Sequence, residues 1–201
     1  MPLSLRLATT DDADQVRDVY APYCQTPISF ELEPPSVDEM HRRMSAVLDQ
    51  NAWLVCADVG MIVGYAYAAP HRERAAYRWS VDTSVYIHER HHRRGIGRAL
   101  YTSLFQLLRH QGYVNAYAGV TLPNPGSVGL HEALGFTPVG VYTQVGYKYG
   151  AWHDVGWYQL LLQPRTLEPR PPRPLADVYG TSDWHSAIAA GVDALTQRAP
   201  R

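Results

Sequence analysis

Arg90-His91-His92-Arg93-Arg94-Gly95-Ile96-Gly97-Arg98 stands between two segments of different periodicity. Before it, Trp79 to Ile87 reads as a strand. After it, Leu100, Leu104, Leu107 and Leu108 fall at i, i+4, i+7 and i+8 and predict a helix from Gly95 to His110. A strand that runs through two glycines into a helix gathers unpaired backbone N–H groups and the positive end of a helix dipole at one point, which suits an anion. The surrounding arginines add charge complementary to phosphate. The competing reading is a basic surface loop whose glycines serve packing. Neither the Walker nor the dinucleotide glycine fingerprint is present. His88, His91 and His92 sit among cations with no accompanying carboxylate pattern, so no metal site is expected.

Outward from this junction the chain alternates strands and helices. Ser4 to Ala8 alternates polar and apolar as a strand does. Thr9 or Thr10 can cap a helix whose first turn carries Asp11 and Asp12 and whose apolar face is Ala13, Val16, Val19, Tyr20 and Tyr23. A Pro-rich loop around Ile28-Ser29-Phe30 leads to Ser36-Val37-Asp38-Glu39, a capping box, and a second helix striped by Met40, Met44, Val47 and Leu48. Trp53 to Ala57 and Met61 to Ala69 predict a hairpin turning at Val59-Gly60. Downstream come a strand at Asn115 to Thr121, a short helix from Pro125 to Leu134 closed by Gly135, and two β segments at about Val139 to Lys148 and Val155 to Leu162. The order predicts an α/β fold: a mixed sheet with helices on both faces. Five prolines between Gln163 and Pro174 mark an extended linker, after which Trp184, Ile188, Val192 and Leu195 line one face of a tail helix capped by Ser182. Such a helix is marginal alone and must dock on its own domain or on a partner.

Composition narrows the function classes. The 201 residues suit one ordinary domain with an appendage, and 46% hydrophobic content fills a core. A net charge of −1 argues against nucleic acid or an anionic membrane as partner. The longest apolar run, Met61 to Ala69, is far short of the roughly 18 residues that suggest a membrane span. The N-terminus shows no secretory pattern, and Cys24 and Cys56 form no Cys-x-x-Cys pair, so a cytoplasmic protein with reduced thiols is expected.

Taken with the Arg-x-Gly-x-Gly junction, Asn124-x-x-Ser127 and Leu130-His131-Glu132-Ala133-Leu134-Gly135-Phe136 make the chain resemble the GNAT superfamily of acetyl-CoA-dependent N-acetyltransferases. The phosphinothricin acetyltransferase branch is similar through Ala76-Tyr77-x-Trp79, Ser84-Val85-Tyr86, Leu122-Pro123-Asn124 and Val145-Gly146-x-Lys148-x-Gly150-x-Trp152-x-Asp154-Val155. The resemblance spans about residues 3 to 162. It implies a GNAT-like, mostly antiparallel central sheet, an N-acetyltransferase domain over residues 1–163 and, outside it, the linker and amphipathic tail over 164–201. It also implies acetyl-CoA as co-substrate without a metal, direct transfer to a small amino-acid-like acceptor of the phosphinothricin, methionine sulfone or methionine sulfoximine type, herbicide resistance through the first of these, and a homodimer. His92 departs from the Gln or Arg that usually opens the family's phosphate loop.

The resemblance assigns Val85, Tyr86 and Ile87 to the pantetheine arm through their backbone groups, the run Arg93, Arg94, Gly95, Ile96, Gly97 and Arg98 to the pyrophosphate, and Asn124 to the acyl end of the arm. A protonated amine must lose a proton before it attacks a thioester, which calls for a general base. Asp82, a carboxylate inside a strand, is costly to bury unless it is paired or functional, and the family commonly has Glu here. His131 stands where many relatives place Tyr and is either an acid–base group or a packing histidine. Arg72 and Arg74 are expected to hold the acceptor's acid group, with Tyr77 and Phe30 shaping the pocket. Lys148, Trp152 and Asp154 match the family without an assigned role. Two other readings are an acetyltransferase for a polyamine, aminoglycoside or peptide N-terminus, and a non-catalytic acyl-CoA sensor.

Overall fold

Seven strands form one sheet in the order β1-β2-β3-β4-β5-β7-β6, in a computed structural model that describes residues 3–196. The strands are β1 (Ser4–Leu7), β2 (Trp53–Asp58), β3 (Met61–Pro70), β4 (Ser80–Ile87), β5 (Asn115–Leu122), β6 (Thr137–Lys148) and β7 (Ala151–Leu161). The helices are α1 (Ala13–Cys24), α2 (Val37–Leu48), α3 (Ile96–Gln111), α4 (Pro125–Ala133) and α5 (Ser182–Thr196). Every pairing is antiparallel except β4 with β5. The mixed, mostly antiparallel sheet expected from the sequence is the one observed.

Local chemistry explains most boundaries. Ser36 caps α2 by accepting from the Glu39 N–H at 3.1 Å. Ahead of α1, Thr9 caps a short 3-10 turn over Thr10–Asp12, whose Asp12 carboxylate folds back onto the Thr9 N–H at 2.8 Å and onto the Arg6 guanidinium, and Asp12 in turn holds the N-cap position of α1. The last hairpin extends further toward its tip than its sequence pattern suggested. Tyr149 and Gly150 both take positive φ, 50° and 76°, and so make a two-residue turn that lets β7 begin at Ala151.

The two faces of the sheet bury different things. On one side Leu100, Leu104, Leu107 and Leu108 of α3 are fully buried against Val81, Ala116 and Tyr158. On the other, α1 and α2 bury Val16, Met40 and Met44 against Trp53, Val55 and Tyr65. The tail helix docks in cis. Trp184, Ala187 and Gly191 of α5 are buried, and a Cβ on Gly191 would lie 2.7 Å from the Ala99 carbonyl of α3, so glycine sets the closeness of this crossing. The proline-rich segment is extended yet pinned. The Arg173 N–H donates to the Gln111 carbonyl at 2.7 Å, the Leu175 N–H to the Gln50 carbonyl at 3.0 Å, and Trp79 Nε1 to the Arg170 carbonyl at 2.8 Å.

One irregularity positions everything that follows. β4 and β5 pair only at Ser80–Asn115, Val81–Ala116 and Asp82–Tyr117. Beyond Asp82 the two strands part, β4 continuing alongside β3 and β5 alongside β7. The Thr83 hydroxyl bonds the Tyr117 carbonyl at 3.1 Å at the point of divergence. The sheet therefore has an internal split, with two strand edges facing each other unpaired.

Candidate active site

Register decides which groups face the split. His88 donates its N–H to the Val63 carbonyl and Ser80 accepts from the His71 N–H, so the even-numbered residues of β4 spend their backbone groups on β3. The odd-numbered ones, Val85 and Ile87 among them, turn theirs toward the opening. This corrects the expectation for Tyr86, whose backbone pairs with Tyr65 and whose ring meets those of Tyr20 and Tyr23 edge to face. Ile87 is also already engaged: the Tyr23 hydroxyl donates to its carbonyl, and His92 Nε2 lies 2.9 Å from the same oxygen. The histidine that departs from the family pattern thus turns back onto β4. Val85 alone of the three keeps its backbone groups open toward the split, and its side chain packs against the α3 core.

The glycine junction lies at the wide end of the split. Gly95 is the N-cap of α3 with φ +81°, a conformation that favours glycine. The first intrahelical bond runs from the Ala99 N–H to the Gly95 carbonyl, which leaves the N–H groups of Ile96, Gly97 and Arg98 without helical partners. Together with the dipole they form an anion site. The Ile96 side chain is core, so only its backbone serves. Gly97 has a different reason from the expected one. A Cβ there would meet Leu130 of α4 at 3.0 Å and Val85 at 3.9 Å, so the absent side chain lets α3 close on α4. Arg94 turns away to Asp58 at 3.3 Å and His91 at 2.6 Å, whereas Arg93 and Arg98 are exposed and carry no ion pair among the described residues. Asn124 caps α4, its Oδ1 accepting from the Ser127 N–H at 3.1 Å, which keeps its amide N–H groups for a ligand.

Asp82 sits where the split begins, on the face covered by α1 and α2. His71 Nδ1 lies 2.6 Å from Asp82 Oδ1, and because a carboxylate only accepts, the imidazole donates. Burial pushes the Asp82 carboxyl above its ordinary value, and the His71 hydrogen bond partly opposes this. The His71 ring stacks on Tyr117 at 4.4 Å and meets Tyr77 and Trp157 edge-on at 5.9 and 6.2 Å. Sequence reasoning missed His71. The signal available was positional: it stands at the end of β3, one hairpin away from a strand carboxylate.

Arg72 reaches to 4.0 Å from Asp82 Oδ2, with its guanidinium 5.8 Å over the Trp157 ring. Arg74 precedes the 3-10 turn over Ala75–Tyr77, exposed and without an ion pair among the described residues. Tyr77 is exposed on the same loop. Phe30 lies against Gly146, where a Cβ would strike its ring, and walls a cleft of about 580 Å³ together with Tyr86, Gly119, Thr121, Tyr142 and Trp157. A second cavity of about 480 Å³ lies under α2 between Trp53, Tyr67 and Arg43.

His131, like Asp82 and His71, lines neither cavity. It is 3% exposed, its Nδ1 bonds the Ser127 carbonyl at 2.7 Å, its Nε2 faces the Tyr101 hydroxyl at 3.3 Å, and burial pushes its pKa down. Phe136 is set against it edge to face, so its surroundings are those of a packing histidine. Among the described residues no group of three or more His, Cys, Asp or Glu side chains is placed to hold a metal ion, and no helix is long and apolar enough to cross a membrane.

Known proteins resemble this chain in sequence and in fold. A family model described as an acetyltransferase (GNAT) domain matches residues 5–157. The chain is 41% identical over 179 residues to a phosphinothricin N-acetyltransferase of Streptomyces viridochromogenes, a match covering 88% of this chain and 95% of that protein. It is 38% identical over 109 residues to an L-methionine sulfoximine/L-methionine sulfone acetyltransferase of Salmonella typhimurium, covering 54% of this chain and 64% of that one. Among solved structures, a GNAT superfamily phosphinothricin acetyltransferase from Sinorhizobium meliloti in complex with AcCoA superposes with a TM-score of 0.79 at 31% identity, covering 87% of this chain and 99% of that one.

Proposed function

Because the chain belongs to the GNAT acetyltransferase family, whose members use acetyl-CoA, we propose that it acetylates the amino group of a small acidic amino-acid-like acceptor of the phosphinothricin, methionine sulfone or methionine sulfoximine type. The observation that carries this reading is the Asp82–His71 pair at the start of the split, with Arg72 beside it and an aromatic cleft alongside.

Acetyl-CoA would supply the acetyl group as a thioester: the freed amine would take the acyl carbon, the C–S bond would break, and the amine's second proton would go to the departing thiolate. The residues present fit it: the unpaired edge at Val85 suits the amides of the pantetheine arm, the N–H groups of Ile96, Gly97 and Arg98 suit the pyrophosphate, and Arg93 and Arg98 add charge. Asn124 contributes its amide N–H groups. Asp82 takes the proton from the acceptor's ammonium group through Oδ2, while His71 holds Oδ1 and so fixes the carboxylate. A raised pKa makes Asp82 a stronger base than an ordinary carboxylate and brings it closer to the working pH. Arg72 binds the acceptor's acid group, with Arg74 and Tyr77 on the same loop closing over it and Phe30 as the apolar wall. No cysteine serves as nucleophile: Cys24 and Cys56 are buried and their thiols are pushed up by desolvation, which favours direct transfer.

A thiol-release assay over phosphinothricin, methionine sulfone, methionine sulfoximine, polyamines, aminoglycosides and peptides tests the reading. Activity on the first three is expected, and activity confined to basic amines overturns it. Loss of the free amine would disarm phosphinothricin, so cells expressing the chain should grow on that herbicide. A homodimer in the cytoplasm belongs to the same proposal. The tail helix no longer argues for the dimer, since it is buried in cis. Support comes from the last hairpin, where Val139, Val141, Tyr147 and Trp152 are each more than half exposed on the outermost strands.

A further inference from the structure

The α1–α2 loop that forms the acceptor wall is built around one cation that the reaction does not use. Lys148, the last residue of β6, is 3% exposed. Its Nζ donates to the carbonyls of Cys24, Thr26, Ser29 and Glu31 at 2.8, 2.9, 2.7 and 2.6 Å. An ammonium group has three N–H bonds, so four carbonyls at these distances share them. The salt bridges among the described residues include none to Lys148; four backbone oxygens answer its charge, with the Tyr149 ring 5.2 Å from the ammonium group. Cys24 ends α1, where carbonyls lack helical partners and a cation is favoured by the dipole. The other three belong to the loop itself. A segment that turns several carbonyls to one point needs a donor there, and Lys148 is that donor.

We propose that Lys148 is a positioning residue for acceptor recognition: its ammonium group curls residues 24–31 so that Ile28, Ser29, Phe30 and Glu31 present the acceptor wall of the cleft. The rest of the loop's bonding agrees with this. Ser29 bonds the Tyr20 hydroxyl at 2.6 Å, the Ile28 carbonyl accepts from Thr121 at 3.3 Å, and Phe30 rests on Gly146, two residues before Lys148. Tyr149 adds a hydrogen bond to the Cys24 carbonyl from outside at 3.2 Å. The cofactor side of the split makes no use of the cage. Its elements are the open edge of β4 and the start of α3, so loss of the cage should reach the acceptor first.

The proposal rests on the acceptor reading above, and its test separates the two. In the full chain, Lys148→Met should raise the acceptor KM about tenfold or more, the scale of a lost hydrogen bond to a charged group, while the KM for acetyl-CoA changes less than about twofold. Lys148→Ala leaves four carbonyls around a space of ammonium size, and ammonium chloride, but not choline chloride, should lower its acceptor KM. If the Met variant does not fold, Tyr149→Phe decides, because it removes one tether of the same loop at an exposed position. It should raise the acceptor KM by about twofold to fivefold at unchanged acetyl-CoA KM. Equal rises in both constants, or no rise in either, in a protein whose wild type turns over methionine sulfone, overturns the positioning role. A wild type inactive on every acidic acceptor instead overturns the acceptor reading.

Discussion

Asp82 has two carboxylate oxygens, and His71 takes only one of them. That division makes base and support separable by mutation. Asp82→Asn should lower kcat about 10²-fold or more, the usual scale for a lost general base. His71→Asn should leave a weaker effect and shift the acid limb of the kcat/KM profile. The sign follows from the environment. Asp82 must be ionised to accept a proton, and burial raises its pKa, so activity falls with decreasing pH at a higher pH than an ordinary carboxylate allows. His71 lowers that pKa, so removing it should move the limb further up, and a limb that moves down in initial-rate measurements would contradict the pairing. The arginines are separable too. Arg72 stands 4.0 Å from Asp82 and over Trp157, whereas Arg74 is exposed two residues further along the loop. Arg72→Ala should raise the acceptor KM by about one to two orders of magnitude, more for an acid than for its neutral amide, and Arg74→Ala by less. Asp82 stands out as a candidate in the sequence because a carboxylate within a strand is anomalous on its own. His71 does not, because its contact arises only from the β3–β4 register, which sets Ala69 across from Asp82 and His71 diagonally beside it, opposite Ser80. His131 is harder to read for a related reason: imidazole chemistry is versatile, and its burial and its Ser127 and Tyr101 contacts arise only in the fold.

Among the elements, α3 was the most legible, since its leucine spacing and glycine boundary are local properties of the chain. The hairpin tip at Tyr149–Gly150 was less so, because a two-residue turn with a non-glycine at positive φ carries a weak sequence signature. The docking of α5 depended on a partner surface that periodicity cannot name. The structure supplies it as α3, with Gly191 at the closest approach. A Cβ there would also press on Ser103, which can rotate, but the Ala99 carbonyl cannot yield without moving the helix backbone. Gly191→Val should therefore push α5 outward and destabilise the protein by about 1–3 kcal/mol in chemical denaturation, with little effect on either KM. A variant as stable as wild type would mean that α5 contributes little to the folded core.

For the molecule as a whole, the pattern of elements predicted the layers, and antiparallel pairing followed from the resemblance, but the point at which β4 leaves β5 was not readable. That departure is a matter of how far two parallel strands stay in register, and no residue type announces it. The exposed face of β6 and β7 is likewise a property of the assembled sheet. If it is a dimer contact, Trp152→Asp should yield a monomer in sedimentation velocity at micromolar concentration, where the wild type sediments as a dimer.

A strand edge without a neighbour also has a thermodynamic meaning. The amide of Val85 has no partner strand to shield it, while those of Ser84 and Tyr86 are locked into β3. Deuterium uptake along β4 should alternate, fast at Val85 and slow beside it, and acetyl-CoA should erase the alternation. A ligand that finishes a sheet also binds the native state in preference to the unfolded one. At a hundred times its dissociation constant it adds about 2.7 kcal/mol to the unfolding free energy. The melting temperature should climb with acetyl-CoA concentration, so that the supply of the co-substrate sets the durability of the protein as well as its rate.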